Sequence, residues 1–215
     1  IGEKVPFKVT VKIPANVLET DLKIVDTITK GLTLNTAVTV TGGTDYSSAT
    51  FALDVTNDDG SKVYSFTIPA ATVKANAGNT LVFEYTATVN KDAVVVEPEK
   101  NTAHLEYANN AIPDTPPVQT FPVAYDVQKV DSADKTVVLS GAEFTLKNAA
   151  NTEVKVTLIK AASDNNNVNV YRVAVDGETA AKITGGTFRI EGLNDEEYTL
   201  TETKAPTGYK LGDTV

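Results

Sequence analysis

The chain has 215 residues, of which 41% are hydrophobic, and its formal net charge is -9. This length suits one large or two medium domains, and no apolar run approaches the length of a membrane span. The negative charge argues against nucleic-acid binding, which needs a basic surface, and it favours solubility.

The residue types that are absent exclude several kinds of site. Cysteine is missing, which excludes disulfides, thiolate catalysis and cysteine-bound zinc. The single histidine, His104, is predicted on the solvent face of a strand, so a histidine triad or metal site lacks a second histidine. We therefore expect no metal and no cofactor. Because methionine and a signal peptide are both missing, we expect a piece of a longer mature protein.

The first half of the chain is predicted to be all-β. Segments rich in threonine and valine are separated by turn residues about every 8 to 12 residues, which is typical of β-sandwiches. Residues 70–77 favour a helical turn or two, and Asn57-Asp-Asp-Gly60 predicts a hairpin turn rather than a calcium loop. The predicted strands of this half are 6–13, 22–29, 37–41, 62–68, 80–89 and 102–107.

A proline-rich break divides the chain. Pro113, Pro116 and Pro117 make residues 111–120 stiff and extended. We predict a first domain over 1–112, a linker over 113–118 and a second domain over 119–215. Two tandem Ig-like β-sandwiches joined in this way predict an elongated rod rather than an enzyme with a cleft. The predicted strands of the second domain are 125–130, 143–147, 153–159, 169–175, 186–191 and 197–203.

Four polar residues fall on the apolar faces of predicted strands. Period-two alternation places Asp26, Asn101, Lys129 and Glu202 among apolar neighbours. For each residue alone, a hydrogen-bonded core polar group or a strand read out of phase is the alternative. Together, a lysine, an amide and two carboxylic acids call for a common explanation.

Burial supplies a chemical explanation for this set. It lowers the pKa of a lysine and raises the pKa of a carboxylic acid. The amine then becomes a neutral nucleophile, and the neutral acid can polarise the side-chain amide that the amine attacks. Ammonia leaves, and fixed proximity in the core takes the place of an enzyme. The product is an amide cross-link that stabilises as a disulfide does but resists reductants.

Four segments of the second domain resemble collagen-adhesin B-type (CnaB) domains of Gram-positive surface proteins. They are Tyr-Asp-Val-Gln-Lys-Val-Asp at 125–131, Leu-Ser-Gly-Ala-Glu-Phe-Thr-Leu at 139–146, Gly-Thr-Phe-Arg-Ile-Glu-Gly-Leu at 186–193, and Tyr-Thr-Leu-Thr-Glu-Thr-Lys-Ala-Pro-Thr-Gly-Tyr at 198–209. The last is similar to the family's E-box. The resemblance implies that Lys129 is the cross-linking lysine and Glu202 the acid that promotes the bond.

The first domain is similar to the middle domains of Gram-positive backbone pilins over residues 2–14 and 22–34. This resemblance implies that Asp26 is the promoting acid and Asn101 the acceptor of the cross-link. In each domain one partner is missing from the expected place, and we expect each to lack one terminal strand. The partner of Asn101 is expected upstream of Ile1, with Lys8 a weaker candidate because Lys4, Lys8 and Lys12 alternate toward solvent. The partner of Lys129 is expected beyond Val215, because Asn151, Asn165, Asn166 and Asn167 lie in loops.

The resemblance implies a structural shaft subunit of a sortase-assembled, cell-wall-anchored pilus on a Gram-positive surface. Its partners would be other pilin subunits, joined covalently by sortase. The alternative is an adhesin or accessory pilin that binds host matrix. A turnover enzyme is not expected, because self-cross-linking happens once per molecule.

Overall fold

The computed structural model describes residues 1–93, 95, 97–108 and 110–212. The chain divides into two compact units, one over Gly2–Phe121 and one from Pro122 onward, with which Ile1 is grouped. In the described residues, no helix has both the length and the apolar character needed to cross a membrane. Residues 213–215, which close the predicted second domain, lie outside the described residues.

The first unit consists of two sheets that are antiparallel throughout. One sheet has the strand order β1-β7-β3-β4, and the other has the order β10-β8-β2-β6-β5, with β9 also paired to β8. The elements are β1 Lys4–Lys12, β2 Leu22–Ile28, β3 Leu32–Thr41, β4 Ser48–Thr50, β5 Ala52–Thr56, β6 Lys62–Ile68, α1 Ala70–Ala75, β7 Thr80–Val89, β8 Glu99–Tyr107, β9 Asn110–Ala111 and β10 Val118–Thr120.

Aromatic side chains fill the core between these sheets. Strand β7 alternates strictly, so Leu81, Phe83 and Tyr85 point inward while the residues between them are more exposed. The ring of Phe51 lies 4.9 Å from that of Phe66 and 5.1 Å from that of Tyr85, both edge-on. Such edge contacts stabilise beyond simple burial and fix the orientation of each ring.

The hairpin predicted at residues 57–60 is present between β5 and β6. Gly60 N–H donates to the carbonyl of Asn57, and Gly60 adopts φ +83°, which glycine tolerates best. Strand β5 itself was not predicted from the sequence. All five of its residues are exposed, so it carries no alternation of apolar and polar residues.

The proline-rich segment follows β8 instead of leaving the first unit. Ile112 N–H donates to Leu105 O, Thr115 N–H donates to Ala103 O, and Val118 pairs with Asn101. The first unit therefore extends to Phe121, beyond the sequence-based boundary at residue 112 and the predicted linker over 113–118. The prolines lie at a sheet edge, where a missing N–H does not interrupt the ladder.

The second unit also has two sheets. Their strand orders are β11-β16-β14-β13 and β15-β12-β17; among the described strands of this unit, β14 and β16 form the single parallel pair. The elements are β11 Val123–Gln128, β12 Glu143–Asn148, β13 Val156–Lys160, a short 3₁₀ turn Ala162–Asp164, β14 Asn169–Val173, β15 Ile183–Thr184, β16 Thr187–Leu193 and β17 Tyr198–Lys204. The buried core comprises Ala142, Phe144, Leu146, Val156, Tyr171, Ile183, Phe188, Ile190 and Leu193.

Candidate functional site

Asp26 and Asn101 meet in the core of the first unit. Asp26 lies on β2 and Asn101 on the neighbouring β8, where Asn101 pairs with Ile28, two residues along from Asp26. Both side chains point inward, and the two residues are 0% and 4% exposed. Asn101 Nδ2 lies 2.8 Å from Asp26 Oδ1. The structure thus joins a carboxyl and an amide that the sequence placed on separate strands.

Tyr85 completes this site from the opposite sheet. Its hydroxyl donates a short hydrogen bond to Asp26 Oδ2. Burial raises the pKa of Asp26 to about 6, against the opposing effect of the hydrogen bonds from Tyr85 and Asn101. The pKa of Tyr85 is raised well above its ordinary value, first by burial and then by the nearby carboxylate. The site can therefore hold a neutral carboxylic acid against an amide at mildly acidic pH.

Lys129 and Glu202 form the corresponding site of the second unit. Glu202 lies on β17, and Lys129 directly follows β11. Lys129 Nζ is 3.2 Å from both Oε1 and Oε2 of Glu202, and the side chains are 21% and 2% exposed. Oε2 accepts hydrogen bonds from Lys129 and from Gly212 N–H. Oε1 is buried and, among the described residues, accepts no hydrogen bond with favourable geometry.

An apolar groove of about 560 Å³ opens onto this carboxylate. Its lining includes Leu146, Leu193 and Leu200, together with both Lys129 and Glu202. In residues 121–129, period-two alternation puts Tyr125 on the same strand face as Lys129, which predicts that Tyr125 is buried, and this prediction is wrong. Tyr125 is 47% exposed because its face of β11 borders the groove, where no element of the described chain covers it.

The sequence pointed to no firm cross-linking partner for Asn101 or Lys129 within this chain, and the described residues supply none that bonds to either side chain. No hydrogen bond or ion pair there links a lysine to Asn101 or an asparagine to Lys129. Lys8 points to solvent, with its side chain 62% exposed and its Nζ 3.6 Å from Glu84 Oε1. Asn151 and Asn165 bond to other groups in their own turns, namely Lys147 and the carbonyl of Val168.

Sequence reasoning missed two polar groups of the first unit. Tyr85 was not singled out, although a buried phenol needs a hydrogen-bond partner and so signals one nearby. Glu99 is buried two residues before Asn101, where it accepts hydrogen bonds from Thr29 Oγ1 at 2.5 Å and from Gly31 N–H at 3.0 Å. These contacts give Glu99 a structural role at the turn between β2 and β3.

Each unit is thus a β-sandwich with a buried carboxyl group, and the comparisons with known families place this fold in the pilin class. The family model for a Gram-positive pilin backbone subunit 2, Cna-B-like domain, matches residues 1–111. A second model, the SpaA prealbumin-like fold domain, matches residues 124–215. The chain belongs to the Gram-positive pilin backbone family. This membership places it in a pilus on the bacterial surface, where it assembles with other pilin subunits.

Solved pilins share the fold along the whole chain. A 35 kDa C-terminal fragment of the major pilin GBS80 of Streptococcus agalactiae is 26% identical, with a TM-score of 0.71; the match covers 100% of this chain and 84% of that one. Domains D2 and D3 of the major pilin SpaD of Corynebacterium diphtheriae are 21% identical, with a TM-score of 0.64; the match covers 100% of this chain and 83% of that fragment. The pilus backbone RrgB of Streptococcus pneumoniae is 18% identical, with a TM-score of 0.62 and coverage of 100% and 85%. No curated protein matches the chain significantly.

Proposed function

We propose that this chain is a shaft subunit of the pilus and that each unit is stabilised by an intramolecular Lys–Asn isopeptide bond. One observation carries the proposal: each unit buries a carboxyl group in contact with one half of the reacting pair. Asp26 contacts the acceptor amide of Asn101, and Glu202 contacts the amine of Lys129. The family match to a backbone subunit favours the shaft over the alternative of an adhesin or accessory pilin that binds host matrix.

The chemistry follows from the environment of each carboxyl group. A neutral lysine amine attacks the side-chain carbonyl carbon of asparagine while the carboxylic acid hydrogen-bonds to the carbonyl oxygen. The carboxyl group then passes a proton from the attacking nitrogen to the leaving nitrogen, and ammonia departs. Each bond forms once, so the chain is not a turnover enzyme. The raised pKa of Asp26 keeps the acid form available near neutral pH.

We propose that the groove of the second unit is the path along which an asparagine reaches Lys129. Its walls are mainly apolar, Glu202 is part of its lining, and Glu202 Oε1 is buried without a hydrogen bond from the described residues. A β-strand laid against β11 would cover Tyr125 and bring an amide to Lys129. For the first unit, the solvent-facing position of Lys8 argues that another lysine supplies the amine to Asn101.

The pilus role implies further partners. We propose that sortase joins the subunit covalently to its neighbours and that the assembled fibre is anchored to the cell wall. Internal amide cross-links suit a fibre under tension because they restrict the unfolded chain and no reductant opens them. The absence of cysteine is compatible with this chemistry.

The experiment is peptide mapping by mass spectrometry of the protein isolated from its pilus. A peptide containing Lys129 or Asn101 should be joined to a second peptide, with the loss of one ammonia. Glu202→Ala and Asp26→Ala should abolish the respective joined peptides. Glu143→Ala and Asp54→Ala are matched controls, because these more exposed carboxylates pair with lysines near the surface. Unjoined Lys129 and Asn101 in the wild type would refute the proposal.

A further inference from the structure

The two carboxyl oxygens of Asp26 have different partners. Oδ2 accepts the hydrogen bond of the Tyr85 hydroxyl, and Oδ1 faces the amide of Asn101 at 2.8 Å. A neutral carboxylic acid carries its proton on only one oxygen. The partner of each oxygen therefore decides whether that proton points at the amide or away from it.

The core holds the Tyr85 hydroxyl in place. Tyr85 is buried on β7, and its ring centroid lies 5.6 Å from that of Phe7 and 5.1 Å from that of Phe51. Phe7 also pairs with Tyr85 in the β1–β7 ladder. With the ring packed on two sides, the phenol oxygen stays beside Asp26 while the reacting groups move.

Tyr85 acts only as a donor toward Asp26. Burial and the adjacent carboxylate raise the pKa of the phenol, so it keeps its proton throughout the physiological range. Oδ2 is then occupied as an acceptor. The acid proton belongs on Oδ1, the oxygen that faces Asn101.

We propose that Tyr85 is a positioning residue for cross-linking, because its hydroxyl occupies Asp26 Oδ2 and directs the acid proton on Oδ1 toward the Asn101 amide. This inference rests on the proposed function of Asp26 and Asn101. A half-turn of the Asn101 amide places its oxygen where Nδ2 lies. The same 2.8 Å separation then fits a hydrogen bond donated by Asp26 Oδ1–H to the carbonyl that the lysine attacks.

In this arrangement each proton that moves during the reaction has both a donor and an acceptor. As the lysine nitrogen bonds to Cγ of Asn101, Oδ1–H of Asp26 stabilises the negative charge developing on the amide oxygen. The attacking nitrogen loses a proton, the leaving nitrogen gains one through the same carboxyl group, and the C–N bond to ammonia breaks. Tyr85 gives up no proton in any step. Its contribution is to the starting orientation.

The test compares Tyr85→Phe with Tyr64→Phe. Tyr64 is also buried and pairs with Asp26 in the β2–β6 ladder, but its hydroxyl makes no hydrogen bond in the described part of the chain. The pKa values of Tyr85 and Tyr64 are both raised in part by the charge of Asp26, so both side chains lie close enough to Asp26 to make the comparison a fair one. Carboxyl ¹³C NMR of the chain reports the titration of Asp26, and pulse-labelling with peptide mapping reports the rate at which Asn101 loses ammonia.

Tyr85→Phe should move the Asp26 titration upward by about one pH unit, because a hydrogen bond to the carboxylate is lost. It should also slow cross-linking at Asn101 about tenfold at a pH where Asp26 is neutral in both proteins. Tyr64→Phe should change neither. A purely structural role would slow cross-linking without moving the titration.

The outcomes separate the two proposals. Suppose that wild-type Asn101 cross-links but that Tyr85→Phe, like Tyr64→Phe, changes neither the Asp26 titration nor the cross-linking rate. The role of Tyr85 is then overturned, and the proposed function stands. If wild-type Asn101 never cross-links, the proposed function fails in this unit and the role of Tyr85 in the reaction fails with it.

Discussion

Lys129 Nζ lies 3.2 Å from both oxygens of Glu202, although only one of these contacts has the geometry of a hydrogen bond. The carboxylate is almost completely buried, while the amine retains some exposure along the groove. The pair therefore combines a costly buried anion with a cation that an incoming strand can still reach.

This pairing makes Lys129 more important to stability than its partial exposure indicates. Lys129→Met leaves the carboxylate of Glu202 buried without its cation, and we expect the free energy of unfolding to fall by about 3 kcal/mol. In chains whose Lys129 peptide mapping shows to be free of the cross-link, the double variant Lys129→Met with Glu202→Gln removes both charges and should lose only about 1 kcal/mol relative to the equally uncross-linked wild type. Urea denaturation of the purified chain gives these values.

The double-mutant cycle tests the coupling directly. The stability losses of Lys129→Met and Glu202→Gln, added together, should exceed the loss measured for the double variant. Each single substitution leaves the other residue of the pair without its partner, whereas the double substitution does not. Strict additivity would contradict the close pairing of Lys129 and Glu202.

Stability should also depend on the ionisation of Asp26. Its pKa is raised from an ordinary 3.8 to about 6, so the folded state favours the protonated acid. The stabilisation is fully present below pH 3.8 and is lost as pH rises through about 6. This difference corresponds to about 3 kcal/mol.

Asp26→Asn isolates this contribution, because other carboxyl groups such as Asp54 and Glu143 have lowered pKa values and respond to pH in the opposite sense. We expect the stability of the wild type relative to Asp26→Asn to rise as the pH falls from 7 to 4. Urea unfolding at several pH values measures it. A constant difference between the two proteins over this range would show that Asp26 titrates normally.

Asn76 is another buried polar residue of the first unit, and it takes no part in the proposed chemistry. Its Oδ1 accepts from Thr44 N–H at 2.6 Å, and its Nδ2 donates to the carbonyl of Thr72 at 2.9 Å. Asn76→Ala leaves these groups without partners and should cost about 3 kcal/mol in thermal or urea unfolding. Asn57→Ala, at an exposed hairpin, is the control and should cost about 0.5 kcal/mol or less. Equal losses would mean that burial of the Asn76 amide has little energetic weight.

Strand alternation predicted which polar residues of the candidate site are buried in each unit. Asp26, Asn101 and Glu202 are buried as their neighbours implied. Tyr125 was misplaced because alternation tells which residues share a face but not whether another strand covers that face. The role of Tyr85 was not visible either, since its contact with Asp26 joins two different sheets.

The strands at the edges of the sheets could not be predicted from local sequence patterns either. Strand β5 has no buried face, and residues 110–120 pair along β8 through backbone groups despite three prolines. Such pairing depends on an available neighbouring edge rather than on side-chain periodicity.

The intact mass of the protein, measured against its sequenced termini, tests the central claim most directly. Our account predicts a deficit of one ammonia for each of the two units, and the loss of one deficit in Asp26→Ala and of the other in Glu202→Ala. A subunit purified before sortase joins it to its neighbours whose mass equals that of its unmodified sequence would contradict the account, because both buried carboxyl groups would then have promoted no bond.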